Sequence, residues 1–212
     1  MPHQNRVTPF GEIIATPARG TLMGNRGCLH DAQQRIRRPY KTLRWIICLL
    51  DFKGVRRAIM TPGLWTELFF LDEATALAAG HRPCAYCQRA RFTLFRETWT
   101  AANPELAGAG LPPAPQIDAA LQQERLTATG QKKTYTEQLR NVPTGTFVTW
   151  PGEESAFLVR DGLLLPWQPA GYAEPVAYPL AASVQVLTPR SVVRALAQGY
   201  PVELHASAKF TA

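Results

Sequence analysis

Asp-Glu-Ala-Thr-Ala-Leu-Ala-Ala-Gly-His-Arg-Pro-Cys-Ala-Tyr-Cys-Gln-Arg-Ala-Arg, residues 72–91, contains a helix start, a helix stop and half of a metal site in one short run. Asp72 is an N-cap type whose carboxylate can take a free amide of the first turn. The Ala-rich segment 73–79 then favours helix, and Gly80 supplies the left-handed residue that ends it. Pro83 fixes the chain entering Cys84-x-x-Cys87, which sets two thiols on one tight turn. Structural zinc takes four nitrogen or sulfur ligands in a tetrahedron, so this pair is half a site. A redox reading fits less well, because that motif belongs at a strand-to-helix junction and this one follows a helix, a glycine and Arg-Pro.

The other half must come from elsewhere. Cys28 and His30 share a Cys-x-His spacing that aims both side chains at one point in extended backbone, with Asp31 placed to orient the imidazole. The expected ligand set is therefore Cys28, His30, Cys84 and Cys87, holding Zn2+. His81 competes for the fourth place. Cys48 lies inside the apolar run 45–52 and reads as a small core hydrophobe, although it too remains open as the fourth ligand.

Upstream, residues 1–27 read as an extended arm or edge strand with turns at Gly20 and Gly24. Residues 45–52 are apolar on both alternating faces and predict a central strand. Lys53-Gly54 predicts a turn, residues 55–60 a returning strand bearing Arg56 and Arg57, and residues 64–71 a further strand. Downstream, Phe92, Phe95 and Trp99 form one stripe of a helix over 88–102. The Pro- and Gly-rich stretch 103–116 predicts a linker, and 117–127 a short helix. Strands follow at 146–150, 156–159 and 163–166, the last two joined through Asp161-Gly162, a strong hairpin signal. A strand at 184–187 and a helix opened by Thr188-Pro189 complete the chain. The fold class expected is α+β: a small zinc-binding α/β half at 1–102, the linker, and a β-rich half with short helices at 117–212.

With 212 residues, 46% of them hydrophobic and 18% charged, the chain has the composition of a globular protein rather than a disordered one. No apolar run approaches the roughly 20 residues a membrane helix needs, and no signal-like segment opens the chain. A cytoplasmic protein with reduced cysteines is expected, so these serve as ligands or core rather than bridges. The net charge of +7 is uneven: residues 1–100 hold 15 Lys and Arg against 7 Asp and Glu, and the remainder 8 against 9. A basic half suits a polyanion. Arg35, Arg37, Arg38 and Lys41, together with Arg82, Arg89, Arg91 and Arg96 around the Cys-x-x-Cys, are the expected phosphate contacts, with nucleic acid the partner and DNA ahead of RNA.

Residues 73–88, Glu-Ala-Thr-Ala-Leu-Ala-Ala-Gly-His-Arg-Pro-Cys-Ala-Tyr-Cys-Gln, resemble the second half of the zinc-binding domain of the Ada family, bacterial proteins that sense and repair methylphosphotriesters in DNA. The likeness is strong over 72–91 and looser over 28–100. It implies a zinc site completed by an upstream pair, and DNA as partner. In that family the upstream pair is two cysteines, one of which accepts a methyl group; here the pair is Cys28 and His30, so Cys28 is the one acceptor the resemblance allows. Three function classes result: a structural zinc protein that binds nucleic acid, a metal-dependent enzyme acting on nucleic acid with Asp118, Glu124 and Lys132 as nuclease-like candidates, and a methyl acceptor through Cys28. Trp150, Trp167, Tyr172 and Tyr178 read as core, or as stacking platforms for bases.

Overall fold

A computed structural model describes residues 1–55 and 58–209. Its described residues form two six-stranded sheets with helices between and beside them. The chain runs β1 (Gln4–Val7), β2 (Ile13–Ala15), β3 (Leu22–Asn25), β4 (Ile46–Cys48), β5 (Leu68–Phe70), α1 (Glu73–Ala78), β6 (Arg82–Pro83), α2 (Arg89–Ala102), α3 (Pro104–Ala107), α4 (Ala114–Arg125), β7 (Tyr135–Gln138), β8 (Phe147–Thr149), β9 (Phe157–Arg160), β10 (Leu163–Gln168), β11 (Gly171–Tyr172), β12 (Ser183–Val186) and α5 (Arg190–Ala197). The first sheet is ordered β2-β1-β5-β3-β4-β6 and the second β11-β10-β9-β8-β12-β7. The α+β class holds.

The expected N-terminal arm is three strands. Gly24, read as a turn, lies within β3, because a Cβ there would stand 2.0 Å from the Ile46 carbonyl oxygen of the neighbouring strand. Its role is close approach of two backbones rather than a change of chain direction. The strand expected over 45–52 is shorter, and Leu49 and Leu50 beyond it are exposed. The strand expected over 55–60 falls partly on Arg56 and Arg57, outside the described residues, while Ile59 and Met60 form a turn.

Helix α1 explains its own composition. Ala76 and Leu77 face a core with Ile47, Phe70, Phe95 and Trp99, whereas Ala74 and Ala78 face Phe147, Leu158 and Leu165 of the second sheet. A helix buried on both sides needs small side chains to let both layers approach. Asp72 caps it as expected: one carboxylate oxygen accepts from the Thr75 amide at 2.9 Å and the Thr75 hydroxyl at 2.7 Å, and the other from the Tyr172 hydroxyl at 2.8 Å and the His205 amide at 3.0 Å. Gly80 ends it at φ +88°; a Cβ there would meet Arg125 Cδ at 2.7 Å.

The segment expected as a linker carries α3 and the start of α4. Its Asn103 is fully buried and donates from Nδ2 to Trp99 and Ser191 carbonyls. The largest apolar cluster draws on both sides of that segment, with Phe92, Phe95 and Trp99 meeting Ile117, Leu121, Val192 and Leu196. In the second sheet, Asp161 and Gly162 both take positive φ and join β9 to β10 as a two-residue turn. Trp150 packs on Phe157 and Tyr178, and Tyr172 on Phe147, so these aromatics pack on neighbouring rings.

Candidate metal centre

The first sheet buries one face and opens the other. Ile47, Gly24, Leu68 and Phe70 turn into the core, so the residues between them, Cys48, Met23 and Phe69, project on the opposite side. Met23 pairs with both Cys48 and Phe69, and Phe69 with Arg6, which makes a single row across four strands. Strand β6 then adds to β4 in parallel, with Ile46 opposite Arg82 and Ile47 opposite Pro83. The next step of that ladder sets Cys84 beside Cys48; the Cys84 amide donates to the Ile47 carbonyl at 2.9 Å, and the Gln88 side chain to the same oxygen at 2.9 Å.

Among the described residues, Cys48, Cys84 and Cys87 form a group whose sulfurs all lie within 4.8 Å of one another, and it can hold a metal ion. Three sulfurs on one zinc at about 2.3 Å stand about 3.8 Å apart, so small side-chain adjustments suffice. Cys84 is buried and the other two half-buried. The Tyr86 amide donates to Cys84 Sγ at 3.4 Å. Hydrogen bonding from Cys48, and then from the Cys87 and Tyr86 amides, pulls the Cys84 thiol down to about 5 against its burial. Cys87 is lowered for the same first reason. Cys48 is the partner left holding the proton, pushed upward chiefly by its bonds to Cys84 and Cys87. Three neighbouring sulfurs, two of them with lowered thiol pKa, are a donor set that a soft cation satisfies by replacing thiol protons.

The expected ligands separate. Cys84 and Cys87 are in the centre, but Cys28 and His30 are not members of it. Cys28 Sγ lies 3.8 Å from the His30 carbonyl oxygen. Both ring nitrogens of buried His30 are engaged, Nδ1 with the Thr66 hydroxyl at 2.6 Å and Nε2 with the Thr61 carbonyl at 3.2 Å, which leaves no lone pair for a metal. Asp31, expected to orient that imidazole, instead binds Arg35 and Arg37. His81 is buried between Trp45 and Phe70, its Nε2 accepting from Arg26 Nε at 3.2 Å. Cys48, read as core, faces out of it. The signal was present in the alternation, since Ile47 inward requires Cys48 outward, but the sequence did not reveal which strand would pair with β4.

The centre lies in the wall of a cavity of about 970 Å³. Its lining includes Met23, Ile46 and Phe69 from the open sheet face, together with Leu50, Ile59, Trp65, Tyr86 and the start of α4. The polar groups are few. Asp118 holds Arg82 through two bonds of 2.9 and 2.8 Å, both side chains buried. Buried Glu67 accepts from the Met60 amide at 2.8 Å. Lys53 donates to the Tyr86 hydroxyl at 3.3 Å at the rim.

The expected phosphate-facing arginines divide as well. Arg82 is buried against Asp118 and does not reach solvent, which corrects its expected surface role. Arg91 is drawn in by Glu73, the Pro201 carbonyl and Glu203. Arg96 lies half-buried over the Phe92 ring. Arg35, Arg37, Arg38, Lys41 and Arg89 are exposed. The nuclease-like candidates do not converge: Glu124 accepts from Ser191, and Lys132 donates to the Ala78 carbonyl. Among the described residues no helix is long and apolar enough to cross a membrane. No protein-family model, no curated protein and no solved structure matches the chain.

Proposed function

We propose that this is a zinc-thiolate protein in which Cys48, Cys84 and Cys87 hold the ion at the wall of the apolar cleft. The observation that carries the reading is the third cysteine: parallel pairing of β4 with β6 brings Cys48 to the Cys-x-x-Cys turn. The Ada-like motif over 72–91 supports zinc over other soft cations. Bound there, zinc neutralises the thiolates and fixes the short strand β6 to β4, and with it the entry to α2. Zinc held there would have three protein sulfurs, one short of the four ligands of a structural site.

A hydrolytic metal centre is disfavoured by register. A metal-bound water needs a base within about 3 Å, or one water further. Of the two carboxylates in the described lining, Asp118 is taken by Arg82, and Glu67 lies two strands across from Cys48 and two residues along. At about 4.8 Å per strand and 3.3 Å per residue, their Cα atoms stand roughly 12 Å apart, and Glu67 already binds the Met60 amide. The methyl-acceptor reading loses its geometric basis in Cys28, which lies outside the sulfur group.

Metal analysis by native mass spectrometry tests the zinc reading. The wild type should carry one zinc; Cys48→Ala and Cys84→Ala should lose it, and Cys28→Ala and His30→Ala should retain it. Retention in Cys48→Ala would overturn the ligand set.

A second reading, nucleic-acid binding, is supported by the exposed basic segment with Arg35, Arg37, Arg38 and Lys41, joined by Arg89. It requires affinity that falls steeply with salt, because each neutralised phosphate releases counterions. Affinity for DNA or RNA that is absent at about 50 mM salt rejects it.

A further inference from the structure

On the other side of the first sheet, Arg26 is 1% exposed and its guanidinium lies over the Trp45 ring at 3.9 Å. Of its five N–H groups, the Nε one goes to His81, and Nη1 reaches the Gly11 carbonyl at 2.9 Å and the Pro39 carbonyl at 3.4 Å. Nη2 has no partner. A guanidinium accepts no proton loss at working pH and needs all its donors met, so two buried N–H bonds without an acceptor call for a ligand.

The neighbouring charges sharpen what the ligand is. Arg125 lies over the same Trp45 ring at 3.9 Å and donates to the Gly80 and Leu43 carbonyls. Lys132, which donates to the Ala78 carbonyl, is pushed down to about 7 by burial and by Arg26 and Arg125. His81 among them is held neutral, by burial first and then by these cations. The nearby carboxylate, Asp118, is engaged by Arg82. Two arginines and a lysine pushed toward neutrality thus share one interior, where the neighbouring carboxylate, Asp118, is bound to Arg82, an arrangement that an anion relieves directly.

A place for that anion adjoins Arg26. A surface cavity of about 330 Å³ is walled by Gly11, Pro39, Ile36, Arg37 and Arg38, with Arg26 in its wall. Gly11 and Pro39 are the residues whose carbonyls hold Arg26 Nη1, and a Cβ on Gly11 would lie 3.8 Å from Nη2. Arg38 is exposed and has no ion pair among the described residues; Arg37 is shared with Asp31. The opposing carboxylate, Glu12, is exposed and solvated.

We propose that this cavity is an oxyanion site of the phosphate class, with Arg26 Nη2 as the buried donor and Arg37 and Arg38 as the outer clamp. It is independent of the metal reading. The phosphate is either free or part of a phosphodiester, and the two sources are separable by experiment.

Thermal denaturation and calorimetric titration of the full chain as purified, with inorganic phosphate against chloride at equal ionic strength, provide the test. At ten times its Kd, phosphate should raise Tm by about 3–6 °C. Arg37→Ala/Arg38→Ala, surface changes that leave the fold intact, should weaken phosphate about tenfold or more. Arg26→Lys keeps a charge but removes the fork and should lose binding where it folds. Competition by a single-stranded DNA 12-mer identifies a phosphodiester as the natural occupant, and phosphate binding without such competition identifies the free ion. Absence of any effect beyond chloride, or an Arg37→Ala/Arg38→Ala protein that binds as the wild type does, overturns the site.

Discussion

Removing Asp118 should loosen the metal knuckle through Arg82. The two side chains are 2% and 6% exposed and joined by bonds of 2.9 and 2.8 Å, so Asp118→Ala leaves a guanidinium buried beside Phe92 with its charge uncompensated. Breaking one side of such a pair costs about 3–5 kcal/mol. For a chain of this size each kcal/mol lowers Tm by about 2–4 °C, which gives a fall of about 6–20 °C. Arg82 belongs to β6, two residues before Cys84, so the same change frays the ladder that brings Cys84 to Cys48. Zinc affinity should fall about tenfold or more, as when the support of a metal ligand is removed. Arg82→Met should cost a similar amount, because it strands the carboxylate. The double variant Arg82→Met/Asp118→Leu replaces both charges with apolar groups and should be less destabilised than the sum of the singles by several kcal/mol. Chemical denaturation of the four proteins, with zinc titrated against a chromophoric chelator, measures both quantities. A single-variant cost under about 1 kcal/mol, or additive effects in the double, would refute the argument.

Three further outcomes are expected. Asp72→Ala removes the acceptor of the Thr75 amide, the Tyr172 hydroxyl and the His205 amide at once, and should cost about 3 kcal/mol or more by denaturant titration; a loss under about 1 kcal/mol would mean only the cap matters. Gly80→Ala forces a positive-φ residue against Arg125 and should destabilise by about 1–3 kcal/mol, with the Arg125→Ala background relieving part of it. His81 has its pKa driven well below 6.5 by burial and then by Arg26 and Arg125. The unfolded chain therefore binds more protons below that pH, and stability should fall as pH drops through 6.5 and stay level above it on this account. The His81 ring should keep neutral-imidazole NMR shifts through pH 6.5, where a free imidazole is half protonated, and a titration near 6.5 would contradict its burial.

The parts of the fold legible in the sequence are those set by neighbours along the chain. Asp72 as cap, Gly80 as stop, the stripe Phe92-Phe95-Trp99 and the Asp161-Gly162 turn each act over a few residues, and each stands in the structure as read. The Cys84-x-x-Cys87 turn belongs with them, its two sulfurs lying in the group that can hold a metal ion. Boundaries were less legible: β4 ends at Cys48, and α4 begins within the Pro-rich stretch, because proline is accepted in a helix's first turn.

The amino-acid sequence by itself determined that a Cys-x-x-Cys turn follows a short helix, that the N-terminal half is basic, and that helices and strands mix. Only the tertiary structure decided which upstream residue meets that turn and where the positive charges go. Cys48 reaches Cys84 because β4 and β6 pair in parallel across more than thirty residues of chain, and hydrogen-bond ladders between distant strands leave no local spacing to read. The same long-range packing took His30 to Thr66 and Arg82 to Asp118, and set Arg26 and Arg125 on the Trp45 ring with Lys132 within their electrostatic reach. A charged residue's role depends on what lies opposite it in space, and that is set by which surfaces bury together.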